Sequence, residues 1–131
     1  MMTMQAFIEL RDLKLSTKIG TFAVASDAPK EHLLDLTLGI DAELVLIESD
    51  TMEHVFDYDP LVRDIDRLSR DGHYETQERL ITRIVKACAA YSEIISLDIN
   101  LRKGPVLNAS GSLSVRVNLD QAAFSALRRE L

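Results

Sequence analysis

The chain has 131 residues, of which 47% are hydrophobic and 27% charged, so it is long enough for one domain with its own core and too short for two. Its net charge of −6 argues against a nucleic-acid-binding protein or one held on an anionic membrane surface. No apolar run reaches the roughly 18 residues of a membrane span, and the amino terminus lacks the pattern of a signal peptide, so we expect a cytoplasmic protein.

The first predicted element is a strand over about residues 6 to 19. Apolar residues alternate with polar ones from Ile8 and again from Leu13, but on the opposite parity, which predicts a β-bulge near Arg11–Asp12. A second strand is predicted after a loop. Its apolar face consists of Leu34, Leu36, Leu38, Ile40 and Ala42.

Two helices are predicted next. Asp59 is a candidate N-cap, Pro60 suits the first helical position, and Gly72 is expected to end this helix. The second helix should run from about Thr76 to Tyr91. Its apolar arc consists of Leu80, Ile81, Ile84, Val85, Cys88 and Ala89. Because the single cysteine lies in this arc, we expect a buried structural thiol.

Glu78 lies at the edge of this apolar arc, whereas the other charged residues of the helix lie outside it. Burying a carboxylate there is costly unless something donates hydrogen bonds to it. One interpretation is an acidic residue favoured by the helix dipole in the first turn, and the other is a ligand anchor. The pattern by itself does not decide between them.

Two further strands and a tail helix complete the chain. The apolar faces of the strands consist of Leu97, Ile99 and Leu101, and of Leu113, Val115 and Val117, respectively. The tail helix, within residues 120–131, has Ala123, Phe124, Leu127 and Leu131 on one side. Lys103 continues the parity of Leu101 and should point from the apolar face at the strand's end.

The order β-β-α-α-β-β predicts an α+β fold in which two helices pack on one face of a four-stranded antiparallel sheet. The whole chain, residues 1–131, is interpreted as one domain. Such a sheet leaves two long edges unpaired, and pairing with neighbouring subunits would satisfy them. A homo-oligomer is therefore expected.

The motifs of the chain resemble a known family. Leu13…Ile19-Gly20, Leu34-Asp35-Leu36, "VFDYDPL", "GHYETQERLITRI" and "INLRK" occur in an order and spacing similar to those of the dihydroneopterin aldolase and dihydroneopterin-triphosphate epimerase family. The resemblance covers about residues 8 to 119. It implies the tunnelling fold, in which four subunits close their sheets into a barrel and two rings usually stack into an octamer, with active sites at subunit interfaces and neither metal nor organic cofactor.

The activity implied by the resemblance is a folate-pathway lyase that cleaves dihydroneopterin to hydroxymethyl-dihydropterin and glycolaldehyde. The alternatives are an epimerase or related activity on a modified pterin, and a catalytically impaired pterin-binding oligomer. The expected partner is a small pterin substrate, with neither nucleic acid nor membrane involved.

The resemblance also implies roles for individual residues. Glu78 matches the glutamate that anchors the pterin ring, and Gln77 beside it is assigned to substrate binding. Lys103 matches the catalytic lysine, although a side chain that reaches solvent at the sheet edge is the plainer interpretation. Tyr58 matches a tyrosine that reaches a neighbouring subunit's site and assists proton transfer; without the match it would be an aromatic packed at a helix start.

One position departs from the family pattern. The loop after Ile19-Gly20 usually carries a glutamate that faces the reacting side of the substrate, and Ala25 aligns with it. An alanine can neither accept a proton nor orient water. Asp27 would replace the glutamate only if the loop bends differently.

Other chemistries of the same fold are disfavoured. The zinc-dependent pyruvoyl-tetrahydropterin synthases need closely placed histidines, whereas His32, His54 and His73 are widely spaced, so no metal site is predicted. A Schiff base at Lys103 is not required either, because the pterin ring itself can take up the electrons released by bond cleavage.

Overall fold

The computed structural model describes residues 4–131. Its elements in chain order are β1 (Ala6–Lys14), β2 (Glu31–Ile40), α1 (Asp59–Arg70), α2 (Gln77–Ala89), β3 (Ser96–Gly104), β4 (Leu113–Leu119) and α3 (Gln121–Arg129). The four strands form one antiparallel sheet in the order β1-β2-β3-β4. The predicted α+β fold is confirmed, and α3 is the third helix. No helix within the described residues is long and apolar enough to cross a bilayer.

One face of the sheet forms the floor of the hydrophobic core. Alternate residues of the two central strands are buried there: Leu34, Leu36, Leu38 and Ile40 from β2, and Leu97, Ile99 and Leu101 from β3. The helices cover this face with side chains such as Leu80 and Ile84 of α2, which are fully buried. Cys88 is buried among them as predicted, and burial raises the pKa of its thiol to about 12.

The opposite face of the sheet is polar. Arg102 donates to Asp35 at 2.5 Å and also pairs with Asp12, while Arg116 pairs with Asp98 at 2.5 Å. The hydrogen bonds from Arg116 hold the pKa of Asp98 below its usual value. Asp35, Asp98 and Arg116 border a concave groove of about 1170 Å³, and none of the predicted catalytic or ligand-binding residues lines it.

The predicted bulge in β1 is confirmed, but the strand is shorter than expected. The pairing register with β2 shifts between Leu10 and Leu13, and Asp12 has a φ of 56° with its N–H bonded to Asp35 Oδ1 at 2.8 Å. The strand ends at Lys14 instead of residue 19. It ends there because the chain turns to Tyr74, whose backbone bonds to Lys18 and Gly20.

The boundaries of β2 and α2 differ from the predictions by a few residues. β2 spans Glu31–Ile40, so Ala42, predicted on its inner face, instead begins the short 3₁₀ turn Ala42–Leu44. α2 begins at Gln77, with Thr76 as its cap, and ends at Ala89, two residues before the predicted Tyr91.

Asp59 was predicted to cap α1, and this prediction is wrong. The cap position is held by Tyr58, whose side chain makes no capping bond, and Asp59 is the first helical residue. The free N–H of Asp59 is satisfied by Asp57 Oδ1 at 3.2 Å, an acceptor two residues back that closes a local turn. α1 ends at Arg70, two residues before Gly72.

The tail helix, α3, closes the core at the carboxyl end of α2. Phe124 is fully buried and Leu127 half-buried, whereas Ala123 and Leu131, predicted on the same side, are exposed. The Arg128 guanidinium donates to the carbonyl oxygens of Ala89, Tyr91 and Ile94 at 2.9, 3.0 and 2.8 Å. One side chain therefore satisfies carbonyls at the end of α2 and in the following turn.

Replacing this guanidinium should destabilise the fold. Arg128→Met keeps an unbranched apolar stem but removes three hydrogen bonds to carbonyls, of which the Tyr91 oxygen keeps one from the Ile94 N–H, so the free energy of unfolding should fall by about 2–3 kcal/mol. The matched control is Arg129→Met, which loses one bond to Ser125 on an exposed surface and should change stability by less than about 0.5 kcal/mol. Urea titration of both variants measures the difference, and equal effects would contradict the capping role.

Candidate functional site

The first turn of α2 is fastened to the end of β3. The Thr76 hydroxyl accepts from the N–H of Arg79 at 3.2 Å and so caps the helix. The next residue, Gln77, is only 4% exposed, and its Nε2 donates to the carbonyl oxygen of Leu101 at 3.2 Å. This bond fixes where the helix begins relative to the strand. Gln77 was predicted to bind substrate, and in the structure its amide nitrogen donates to the Leu101 carbonyl.

Glu78 and Lys103 lie on the two sides of this junction. Glu78 is exposed in the first turn of α2, and within residues 4–131 no hydrogen-bond donor contacts its carboxylate. Lys103 is half-buried, two residues beyond Leu101, and makes no ion pair in the part of the chain described. The fold thus places an unpaired carboxylate and an unpaired ammonium near the same junction.

His32 is a third polar residue at this end of the sheet, and sequence reasoning missed it. It is the register partner of Lys103 in the β2–β3 pair and is 5% exposed. Its Nε2 is buried and has no hydrogen-bond partner within residues 4–131. Burial, and then the charge of Lys103, lower the pKa of His32 below its ordinary value, which favours the neutral imidazole. The available signal was parity, since His32 precedes Leu34 and Leu36 on the inward face of β2.

The loop between β1 and β2 is attached on both sides of the junction. Near its start, the N–H of Gly20 donates to Tyr74 O at 2.7 Å and the Thr21 hydroxyl donates to Glu75 at 3.2 Å, just ahead of α2. At its end, Lys30 N–H donates to Gly104 O at 3.0 Å, just beyond Lys103. The loop therefore borders the region that contains Glu78 and Lys103.

Ala25 and Asp27 lie on this loop, in the 3₁₀ turn Ala25–Asp27, and both are exposed. Ala25 supplies no polar side-chain atom. No described side chain hydrogen-bonds to the Asp27 carboxylate. Asp27 is therefore an accessible carboxylate on the loop.

Tyr58 is not brought to this junction within one chain. It precedes α1 and is 47% exposed, close to Phe56, whose ring packs against Tyr91 with centroids 5.9 Å apart. Tyr91 follows the carboxyl end of α2, and roughly 16 Å of helix separates Glu78 from Ala89 at that end. The single chain therefore presents Tyr58 at the opposite end of its helical layer.

The junction provides complementary chemical groups. A carboxylate can accept two adjacent N–H donors of a planar ring, and an ammonium can donate or transfer a proton. Within residues 4–131 no group of three or more His, Cys, Asp and Glu side chains is arranged to hold a metal ion. The arrangement suits proton transfer on a small planar, hydrogen-bonding ligand.

A comparison with protein families matches residues 8–118 to the FolB model, described as dihydroneopterin aldolase. The matched region includes Ala25, Tyr58, Glu78 and Lys103, and it ends before α3 begins. The comparison with curated proteins finds no significant match.

Solved structures with the same fold include three bacterial proteins. The dihydroneopterin aldolase of Burkholderia thailendensis bound to guanine has a TM-score of 0.73 and 18% identity, covering 87% of this chain and 89% of its own. The putative dihydroneopterin aldolase of Vibrio cholerae has a TM-score of 0.74, 17% identity and coverages of 88% and 97%. The E. coli dihydroneopterin aldolase in complex with neopterin has a TM-score of 0.73, 14% identity and coverages of 86% and 97%.

Proposed function

The chain belongs to the dihydroneopterin aldolase family, and from this membership we propose that it is a pterin-binding lyase that cleaves the side chain of dihydroneopterin. The observation that carries the proposal is the family match over residues 8–118, a range that includes Glu78, Lys103 and the Gln77–Leu101 bond between their segments. The solved structures of the same fold that contain guanine and neopterin support a planar, hydrogen-bonding ligand.

The proposed reaction is a retro-aldol cleavage. A base removes the proton of the side-chain hydroxyl one carbon away from the ring-bound carbon, and the carbon–carbon bond between these two positions breaks. The hydroxyl carbon leaves as the aldehyde of glycolaldehyde. The electron pair passes into the conjugated C=N of the dihydropterin ring, and a proton added to the ring-bound carbon completes hydroxymethyl-dihydropterin. Because the ring accepts the electrons, the reaction needs neither a metal nor an organic cofactor.

Glu78 is the proposed ring anchor. A pterin presents a ring N–H beside an exocyclic amino group, and one carboxylate can accept both bonds. The exposed position of Glu78 and the absence of any donor to it within residues 4–131 leave both oxygens available. Its place in the first turn of α2 adds the favourable field of the helix dipole.

Lys103 is the proposed proton-transfer group. It lies at the end of β3, half-buried and two residues beyond the Leu101 carbonyl that holds the start of α2, and no carboxylate within residues 4–131 neutralises it. An ammonium or amine in this position can exchange a proton with a substrate hydroxyl directly or through water. Gln77 would support the ring indirectly, because it holds the first turn of α2 on Leu101.

Assembly is proposed to complete the site. Tyr58 lies at the opposite end of the helical layer from Glu78, so it would reach a ligand bound by a neighbouring subunit. The outer strands β1 and β4 each have one neighbour in the sheet, which leaves edges for pairing between subunits. We therefore expect a tetramer or an octamer.

Removing the anchor should abolish most pterin binding. Glu78→Ala loses two hydrogen bonds to a charged acceptor, each of about 1.5–3 kcal/mol, so the affinity for neopterin should fall by several kcal/mol. The control Glu93→Gln alters an exposed carboxylate beyond the other end of α2 and should bind normally. Calorimetric titration measures both, and unchanged affinity in folded Glu78→Ala would refute the assignment.

With alanine at position 25, pterin binding should persist while the aldolase rate is low. If a loop carboxylate assists proton transfer, its absence lowers the aldolase rate by about 10²–10⁴-fold while binding through Glu78 persists. Ala25→Glu should then raise kcat with little change in pterin affinity. Ser26→Glu, one residue along the same turn, is the matched control for added charge, and Lys103→Ala should abolish the activity.

Chromatographic separation of the products distinguishes the alternatives. Hydroxymethyl-dihydropterin and glycolaldehyde identify the lyase, an inverted side chain identifies an epimerase, and unaltered substrate identifies a binding protein. Asp27→Ala should lower the rate only if Asp27 has assumed the role of the loop carboxylate. An ordinary rate that neither Ala25→Glu nor Asp27→Ala changes would show that this carboxylate is dispensable.

Mixed oligomers test whether Tyr58 acts between subunits. Tyr58→Ala and Glu78→Ala proteins should each bind pterin poorly, but refolding a 1:1 mixture should restore about a quarter of the interfaces with both residues intact. Calorimetry of the mixture measures the recovered sites, and sedimentation measures the oligomer. If the site lay within one chain, every site would carry one substitution and no binding would return.

A further inference from the structure

The buried imidazole beside Lys103 has no role in the function proposed above. His32 faces the helices on β2, with Leu34 and Leu36 following it on the same parity, all buried. A histidine at such a position ordinarily bonds to a neighbouring group, because a buried polar atom without a partner is costly. His32 Nε2 is buried and has no hydrogen-bond partner among the described residues.

Lys103 is the neighbour with matching chemistry. The two residues are opposite each other in the antiparallel β2–β3 pair, and directly opposed side chains on one face lie about 4.5–5.5 Å apart at Cβ. Lys103 points to the same face, since it continues the parity of buried Ile99 and Leu101. Its charge is the one charged group among the described residues that shifts the pKa of His32, the other cause being burial.

The charge states of the two groups fit a donor–acceptor pair. Burial and the Lys103 charge both lower the pKa of His32, so the ring is neutral near pH 7 and one of its nitrogens can accept a hydrogen bond. An ammonium has three N–H donors and no acceptor. In the single chain Lys103 is half-buried and water can reach it, whereas a ligand and a neighbouring subunit over the junction would remove that water.

We propose that His32 is a positioning residue for Lys103, accepting a hydrogen bond from the Lys103 ammonium at Nε2 in the assembled, ligand-bound site. The bond directs one N–H inward and leaves the other two for the substrate or a water. It requires the tautomer in which Nδ1 carries the proton. Ala25 on the loop has no side-chain acceptor to offer Lys103. His32, opposite Lys103 on the neighbouring strand, has one. This inference rests on the proposed catalytic role of Lys103.

The first experiment measures the contact itself and does not depend on turnover. Nitrogen-15 NMR of histidine-labelled protein saturated with neopterin should show His32 with a proton on Nδ1 and none on Nε2. Lys103→Met should change the Nε2 shift and raise the pKa of His32, because it removes a positive charge that lowers this pKa. Lys86→Met, which removes an exposed lysine on α2, should change neither. A proton on Nε2, or no response to Lys103→Met, would overturn the proposal.

The second experiment tests the consequence for catalysis. His32→Phe keeps an aromatic ring in the core but removes the acceptor, so kcat for pterin turnover should fall about ten- to a hundredfold while the neopterin affinity stays within about twofold. His32→Gln can place an amide oxygen near the position of Nε2 and should restore much of the rate. Equal kcat in His32→Phe and the natural protein, or equal losses in His32→Phe and His32→Gln, would count against a positioning role.

The two experiments separate the failure of this inference from failure of the proposed function. Protein that turns over no pterin refutes the lyase assignment, yet the NMR titration still decides whether His32 accepts from Lys103. Normal turnover together with an unresponsive Nε2 refutes only the positioning role.

Discussion

The hydrogen bond from the buried Gln77 amide to the Leu101 carbonyl is the contact on which the arrangement of the junction depends. A helix packed on a sheet can slide along it with little change in apolar burial, because apolar contacts are non-directional. A hydrogen bond from a buried amide to one particular carbonyl is directional, and breaking it leaves the buried Gln77 amide without this acceptor. It therefore fixes Glu78, one residue along α2, relative to Lys103, two residues along β3.

The strict alternation of the central strands explains why polar groups gather at this end. On the helix-facing side, β2 and β3 are apolar along most of their length, and the pattern changes to His32 and Lys103 where the two strands are paired near the loop. On the other side, Arg102 and Arg116 bond to carboxylates, so their charges are already neutralised. Lys103, by contrast, has no such partner among the described residues, which makes it available for chemistry.

The single chain carries an incomplete set of the groups that the sequence resemblance predicts for the site. Glu78 and Lys103 lie on the two sides of the Gln77–Leu101 bond, Tyr58 lies at the far end of the helices, and Ala25 stands where the sequence resemblance predicts a carboxylate. A site built between subunits requires that Tyr58 lie away from Glu78 within one chain. In the proposed function, the alanine at position 25 would lower the rate and not the ring binding, because Ala25 lies on the loop whereas the proposed ring anchor lies on α2.

The spacing of apolar residues was sufficient to predict the four strands, the helices and the bulge at Asp12. Strands and helices each have their own side-chain period, and that period follows directly from local backbone geometry. Motif order was sufficient to identify the family, whereas the roles of Glu78 and Lys103 stay predictions. At the start of α1 the local turn geometry decided the cap, because the Asp57 carboxylate accepts the hydrogen bond from the N–H of Asp59. The pairing of His32 with Lys103 and the attachment of Gln77 to Leu101 depend on register between segments far apart in the chain. Periodicity indicates which face a residue occupies, but only the folded chain decides which residue lies opposite it.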